Sequence, residues 1–149
     1  MFAGVMLDSA YQTYRIQLEV LLNIPASASD QDIHNLIVVG FSADTIKTLC
    51  DLGTLNPTAR NQIIALKTLK TRLARGQRLT LNESDRLFRI VHIIAMSEAI
   101  FGDQVKAKRW LLKPKDCFFG KSPIAMLSTT HGARQVEQML IQLIEGMAF

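Results

Sequence analysis

The chain has 149 residues, of which 48% are hydrophobic and 20% charged, with a net charge of +4. This is the size of one ordinary domain, or of two small ones sharing a core, and it carries too little charge for intrinsic disorder. No apolar run approaches the roughly 18 residues of a membrane span, and the apolar start at residues 1–7 lacks the basic flank and length of a signal peptide. Two cysteines, Cys50 and Cys117, define neither a disulfide framework nor a zinc site. A cytoplasmic protein with no membrane association is expected.

Helical signals run nearly end to end. Residues 9–22 place Tyr14, Leu18, Leu21 and Leu22 at helical spacing before Pro25, and small residues then read as a loop to Ser29. Ser29 with Asp32 opens a short helix carrying Ile33, Leu36 and Ile37, which Gly40 stops; a strand over residues 36–39 is the alternative there. Ser42 caps the next helix, with Ile46 and Leu49 inward and Gly53 at its end. Asn56 followed by Pro57 repeats the start signal, because proline at the first helical position loses no needed N–H. That helix carries Ala59, Ile63 and Ile64. The following segment sets Leu66, Leu69 and Leu73 on one face and ends at Gly76.

Thr80 and Glu83 form a capping-box pair for the longest helix, with Leu87, Ile90, Val91 and Ile94 on one face and Phe88 and Ile93 on a second flank. An element apolar on two sides is covered by more than one neighbour or by a second subunit. Gly102 ends it. A short helix over residues 105–112 carries Trp110, Ser122 and Pro123 start another over 124–127, and the last helix follows the Thr130 turn. In that last helix Val136, Met139, Leu140, Leu143 and Ile144 face inward and Gly146 stops it, leaving Met147, Ala148 and Phe149 as a tail. The fold class read from this pattern is all-α.

The positive charge is concentrated. Residues 52–82 hold Arg60, Lys67, Lys70, Arg72, Arg75 and Arg78 with no Asp or Glu, while the rest of the chain sums to −2. A focused field of one sign attracts a polyanion, and counterion release supplies affinity. Taken singly, each cation is accounted for by solvation; as a group they point to nucleic acid. Leu66, Leu69 and Leu73 can dock such a helix on its own domain, leaving Lys67, Thr68, Lys70, Thr71, Arg72 and Arg75 for a groove, with Arg72 or Thr71 reaching base edges.

Catalytic chemistry has no constellation to rest on. His34, His92 and His131 are far apart in sequence with no metal-ligand partner at helical spacing, and there is no phosphate loop or nucleophile elbow. Phe118 and Phe119 beside Cys117 predict a buried, inert thiol. The expectation is a non-enzymatic chain without cofactor or metal.

Several stretches taken in order resemble a known family. They are residues 79–91 with the Thr80–Glu83 box, the Trp110-Leu111 pair, Pro114, Gly120-Lys121-Ser122-Pro123, the Thr129 to Gly132 spacing, Val136, and the Glu145-Gly146 pair. Together they resemble the Xre-type antitoxins of the Xre/MbcA/ParS group, partners of RES-domain toxins, and the likeness covers residues 33–149. No single piece is specific; the ordered series is. Thr68, Leu69, Arg72, Gly76 and Leu79 resemble the end of that family's helix-turn-helix.

The resemblance implies an N-terminal extension over residues 1–32, a helix-turn-helix DNA-binding domain over 33–78 and a toxin-binding domain over 79–149. It implies a homodimer that binds its own operator DNA and neutralises a RES-domain toxin whose activity is NAD+ degradation. Carried over by position, Glu145, Gly146, Met147, Ala148 and Phe149 lie at the toxin cleft, with Trp110 a further toxin-binding residue. Phe118, Phe119 and Pro123 share with Trp110 the choice between interface and core. The sequence departs from the family at the turn, where residues 62–66 contain no glycine and Ala65 is a poor N-cap; a distorted motif is expected there. The competing functions are a stand-alone helix-turn-helix transcriptional regulator and a scaffolding α-domain.

Overall fold

Four of the helix starts anticipated from the sequence are closed by side-chain oxygens on backbone amides. Ser29 Oγ accepts from Asp32 N, Ser42 Oγ from Asp44 N, Asn56 Oδ1 from Ala59 N and Thr80 Oγ1 from Glu83 N. At Ser29 and Thr80 the third helical carboxylate reaches back to the cap amide, completing both capping boxes. The computed structural model describes residues 8–147, which form α1 (Asp8–Leu22), α2 (Asp30–Val39), α3 (Ala43–Asp51), α4 (Pro57–Ile63), α5 (Leu66–Arg75), α6 (Leu81–Phe101), α7 (Gln104–Leu112) and α8 (Thr130–Met147). Two 3₁₀ turns, Asp116–Phe118 and Ile124–Ser128, join α7 to α8. No strand occurs among the described residues, where Ser42 and Arg78 form one isolated bridge. No helix among them is long and apolar enough to cross a membrane.

The fold is built around α6, which packs against α1, α2, α4, α7 and α8. Its two apolar flanks explain this position: Leu87, Ile90, Val91 and Met96 have no exposed surface, and Ile93 only 1%. The buried apolar side chains form one cluster running from Tyr14 in α1 to Ile144 in α8. The segments 8–32, 33–78 and 79–147 therefore share a single core.

Two backbone approaches need glycine. Gly40 has φ +97°, and a Cβ there would stand 2.5 Å from the Leu79 carbonyl oxygen. The approach lets Leu79 N donate to Phe41 O (2.9 Å) and Arg78 Nη1 to Gly40 O (2.8 Å), tying the start of α3 to the end of the basic segment. Gly132, in the first turn of α8, presses on the Met126 carbonyl so closely that a Cβ would lie 2.0 Å from its oxygen.

Residues 36–39 are helical, as the Ser29 start and the Gly40 stop indicate, and the strand alternative falls. Several other expectations are corrected. Gly146 does not stop the last helix: its backbone stays right-handed and α8 runs to Met147. Residues 124–128 close as a 3₁₀ turn. Leu66 is 47% exposed while Leu69 is buried and Leu73 half-buried, so α5 docks on two leucines rather than three. Cys117 is exposed, because a left-handed Phe119 (φ +55°) after the 3₁₀ turn sends Phe118 inward and leaves Phe119 97% exposed.

Candidate functional site

α4 and α5 are joined by two extended residues, Ile64 and Ala65, without glycine. Ile64 is buried and fixes the link, while Arg60 Nη1 donates to Ile64 O (3.0 Å) and closes the end of α4. Ala65 stands at the N-cap of α5 with no side-chain hydrogen bond, so no side chain closes that helix start.

The six cations of the basic segment separate into two groups. Arg60, Arg72 and Arg78 each bond an acceptor of their own chain. Arg72 grips Glu83 with two bonds of 3.2 Å, Nε to Oε1 and Nη2 to Oε2, and adds a longer bond from Nη1 to Gln77 Oε1. Burial alone would raise the Glu83 carboxyl, but the Arg72 guanidinium and the Thr80 amide hold it below the usual glutamate range. Lys67, Lys70 and Arg75 are exposed and make no ion pair among the described residues. Leu66, Lys67, Lys70, Thr71 and Ala74 line one shallow groove on the outer side of α5. Thr71 Oγ1 donates back to Lys67 O, and Thr68 is half-buried. The structure thus brings Lys67, Lys70 and Thr71 together on one open face and turns Arg72 inward.

The second set lies across α6. Trp110 of α7 is half-buried, tilted against Phe101 at 5.7 Å, with Lys115 Nζ 5.1 Å over its ring. The loop after α7 is closed by Lys115 N to Lys121 O (3.1 Å) and Gly120 N to Lys115 O (2.9 Å), which fixes the projecting Phe119. Glu145 and Gly146 are exposed at the end of α8. Among the described residues no hydrogen bond or ring contact joins Trp110 to them, and Ala148 and Phe149 lie outside the described residues.

One buried polar chain had no local sequence signal. The Tyr14 phenol of α1 is hydrogen-bonded to His92 Nδ1 of α6 (2.5 Å), and His92 Nε2 meets Glu137 Oε2 of α8 at 3.3 Å. Burial pushes the Tyr14 phenol well up, and the His92 hydrogen bond holds Glu137 below the usual range. Phe88, one turn before His92 on α6, stacks on its ring at 5.9 Å. The chain crosslinks three helices. Among the described residues no group of His, Cys, Asp and Glu is placed to hold a metal.

The fold of the described residues is thus all-helical, with an open basic face on α5 and an exposed Phe119 in the loop after α7. Residues 96–146 match the family described as the antitoxin Xre/MbcA/ParS C-terminal toxin-binding domain. Over 146 residues the chain is 53% identical to an Antitoxin Xre of Pseudomonas putida strain KT2440, covering 98% of this chain and 92% of that protein. An Antitoxin Xre of Yersinia enterocolitica is 30% identical over 130 residues, 85% of this chain and 86% of its own length. The chain belongs to the Xre antitoxin family, and it is the antitoxin component of a toxin–antitoxin system.

Proposed function

We propose that this antitoxin neutralises a RES-domain, NAD+-degrading toxin by placing Glu145, Gly146, Met147, Ala148 and Phe149 in the toxin's active-site cleft, and that it represses its own operon through α4 and α5. The observation that carries the reading is the match of residues 96–146 to a toxin-binding domain on a chain similar over nearly its whole length to Antitoxin Xre. The exposed Glu145 and Gly146 at the end of α8 support the tail as the inhibitory element. Phe119 and Trp110 supply aromatic contact area on the same half of the protein.

Residues 33–78 form the operator-binding unit in this reading. α5 enters the major groove, Lys67, Lys70 and Arg75 hold phosphates, and Thr71 reaches a base edge. Arg72 orients the helix through Glu83. The uncapped start of α5 adds open amide N–H groups for a phosphate oxygen, so the missing cap at Ala65 suits DNA contact. Homodimerisation is supported by Ile16 and Val20, which stand one turn apart on α1 at 57% and 71% exposure. Residues 1–32 would then be the dimerising extension and 79–149 the toxin-binding unit.

The test is NAD+ consumption by the RES-domain toxin encoded beside this gene, with the full chain and a truncation ending at Ile144 at equal molarity. Inhibition by the full chain alone supports both the antitoxin reading and the tail mechanism. Inhibition by both removes the tail mechanism. Inhibition by neither leaves a different toxin chemistry, and the RES assignment falls.

A further inference from the structure

A cavity of about 200 Å³ opens between the α3–α4 connection and the α6–α7 corner. Its walls include Leu52, Thr54, Ile94, Leu111 and Ile124, and Glu98 of α6 lines it as well. Glu98 is 8% exposed. Its surroundings are neutral amides: Gln17 Nε2 donates at 3.4 Å, and the Gln104 side chain lies close by. Burial therefore dominates, and the carboxyl sits above the usual glutamate range. Lys108 also lines the cavity, and its ammonium is engaged at the wall by Gly53 O at 3.0 Å.

The rim is apolar. Leu52, Val105 and Leu112 all line the opening and are 72%, 64% and 43% exposed. Three exposed aliphatic side chains around a buried glutamate that makes no ion pair among the described residues form an arrangement complementary to a long side chain with an apolar stem and a cationic head. Part of the desolvation that opposes a buried ion pair is already incurred at Glu98 in the free protein. The occupant is indicated by position: Glu98, Gln104, Val105 and Leu112 all fall within the toxin-binding match at residues 96–146.

We propose that this cavity receives an arginine or lysine side chain of the toxin, whose head group donates to the Glu98 carboxylate while its stem packs between Leu52, Val105 and Leu112. The site is separate from the C-terminal tail. It rests on the toxin being the partner and requires neither the tail mechanism nor the toxin's NAD+ chemistry. It also reaches across the chain, since Leu52 and Thr54 come from the α3–α4 connection.

The experiment is calorimetric titration of the full-length chain with the RES-domain toxin encoded beside the gene. Wild type, Glu98→Gln and Val105→Lys are compared, each with a thermal melt of the free protein. Glu98→Gln keeps shape and removes charge; Val105→Lys sets a like charge at an exposed rim position, where folding is insensitive. The expected result is a loss of about tenfold or more in affinity for each variant, with melting no lower than wild type. Wild-type affinity in both variants overturns the site. Loss in Val105→Lys alone overturns the cationic anchor, because the contact would not use the carboxylate. Absence of binding by the wild type overturns the partner reading itself and the anchor with it, an outcome distinct from the other two.

Discussion

Arg72 and Glu83 form a two-pronged pair, both bonds 3.2 Å, that clamps the last turn of α5 to the first turn of α6. The same Glu83 Oε1 accepts from Thr80 N at 2.9 Å, so one carboxylate closes the capping box and holds the basic helix. The guanidinium and carboxylate side chains are only 23% and 10% exposed, which limits solvent screening. Replacing Arg72 with Ala should destabilise the chain by about 2 kcal/mol, since hydrogen bonds to charged groups are lost and a sheltered carboxylate remains. Because the folded Glu83 carboxyl lies below its ordinary range, the unfolded chain binds more protons in acid. The contribution of the pair is present above the ordinary glutamate range and is lost as pH falls through the depressed value. Urea unfolding of wild type and Glu83→Gln at pH 7 and at about pH 3 measures this: the gap between them should close in acid.

The open face of α5 makes a different prediction. Lys67→Glu and Lys70→Glu remove exposed cations without disturbing Leu69 or the Arg72 pair, so thermal stability should stay within about 0.5 kcal/mol of wild type. Operator binding should weaken in each, and the slope of log affinity against log salt should fall by about one per lysine removed. Gel-shift titrations across a salt series check both. Unchanged slopes would mean that these lysines meet no phosphate.

Helix starts were legible because each rests on a local rule. Ser29, Ser42, Asn56 and Thr80 sit where a side-chain oxygen reaches an amide two or three residues on, and α5 spans Leu66–Arg75 as its periodicity indicates. Interactions set by long-range packing were not legible. Nothing near Arg72 indicates that Glu83, eleven positions on, will take its charge, and nothing near His92 points to Tyr14 or Glu137. The exposure of Cys117 escaped for a related reason: two neighbouring phenylalanines imply burial, but a left-handed Phe119 after a three-residue turn leaves that ring outside. Gly146 shows the converse, a residue that often ends helices remaining inside one.

Gly132 tests how firmly α8 is seated. Its missing Cβ lets α8 begin against the Met126 carbonyl, and Gly132 N donates to Thr129 Oγ1 at 2.9 Å within the same turn. An added methyl meets backbone rather than a flexible side-chain end, so α8 or the 3₁₀ turn must shift. Gly132→Ala should cost about 3 kcal/mol or more, as overpacking against a fixed main chain does. Since the displaced helix carries Glu145 and Gly146, toxin inhibition should weaken with it. Denaturation and inhibition assays on one preparation would show whether the two losses move together.

Glu98 should respond to pH with the opposite sign to Glu83. Its folded carboxyl is raised by burial, so its favourable contribution is complete below the ordinary glutamate range and is lost as pH rises through the raised value. Above the ordinary glutamate range the buried carboxyl opposes folding. Glu98→Gln should therefore be more stable than wild type at pH 7, with the advantage shrinking in acid, whereas Glu83→Gln is less stable at pH 7. A toxin cation seated beside Glu98 reverses the balance, because the paired carboxylate is then favoured over the neutral acid. Toxin binding just above the ordinary glutamate range should then release protons, seen as a binding enthalpy that varies with the ionisation heat of the buffer. In Glu98→Gln that variation should fall. If it persists in full, the protons come from another group and Glu98 does not pair with the toxin.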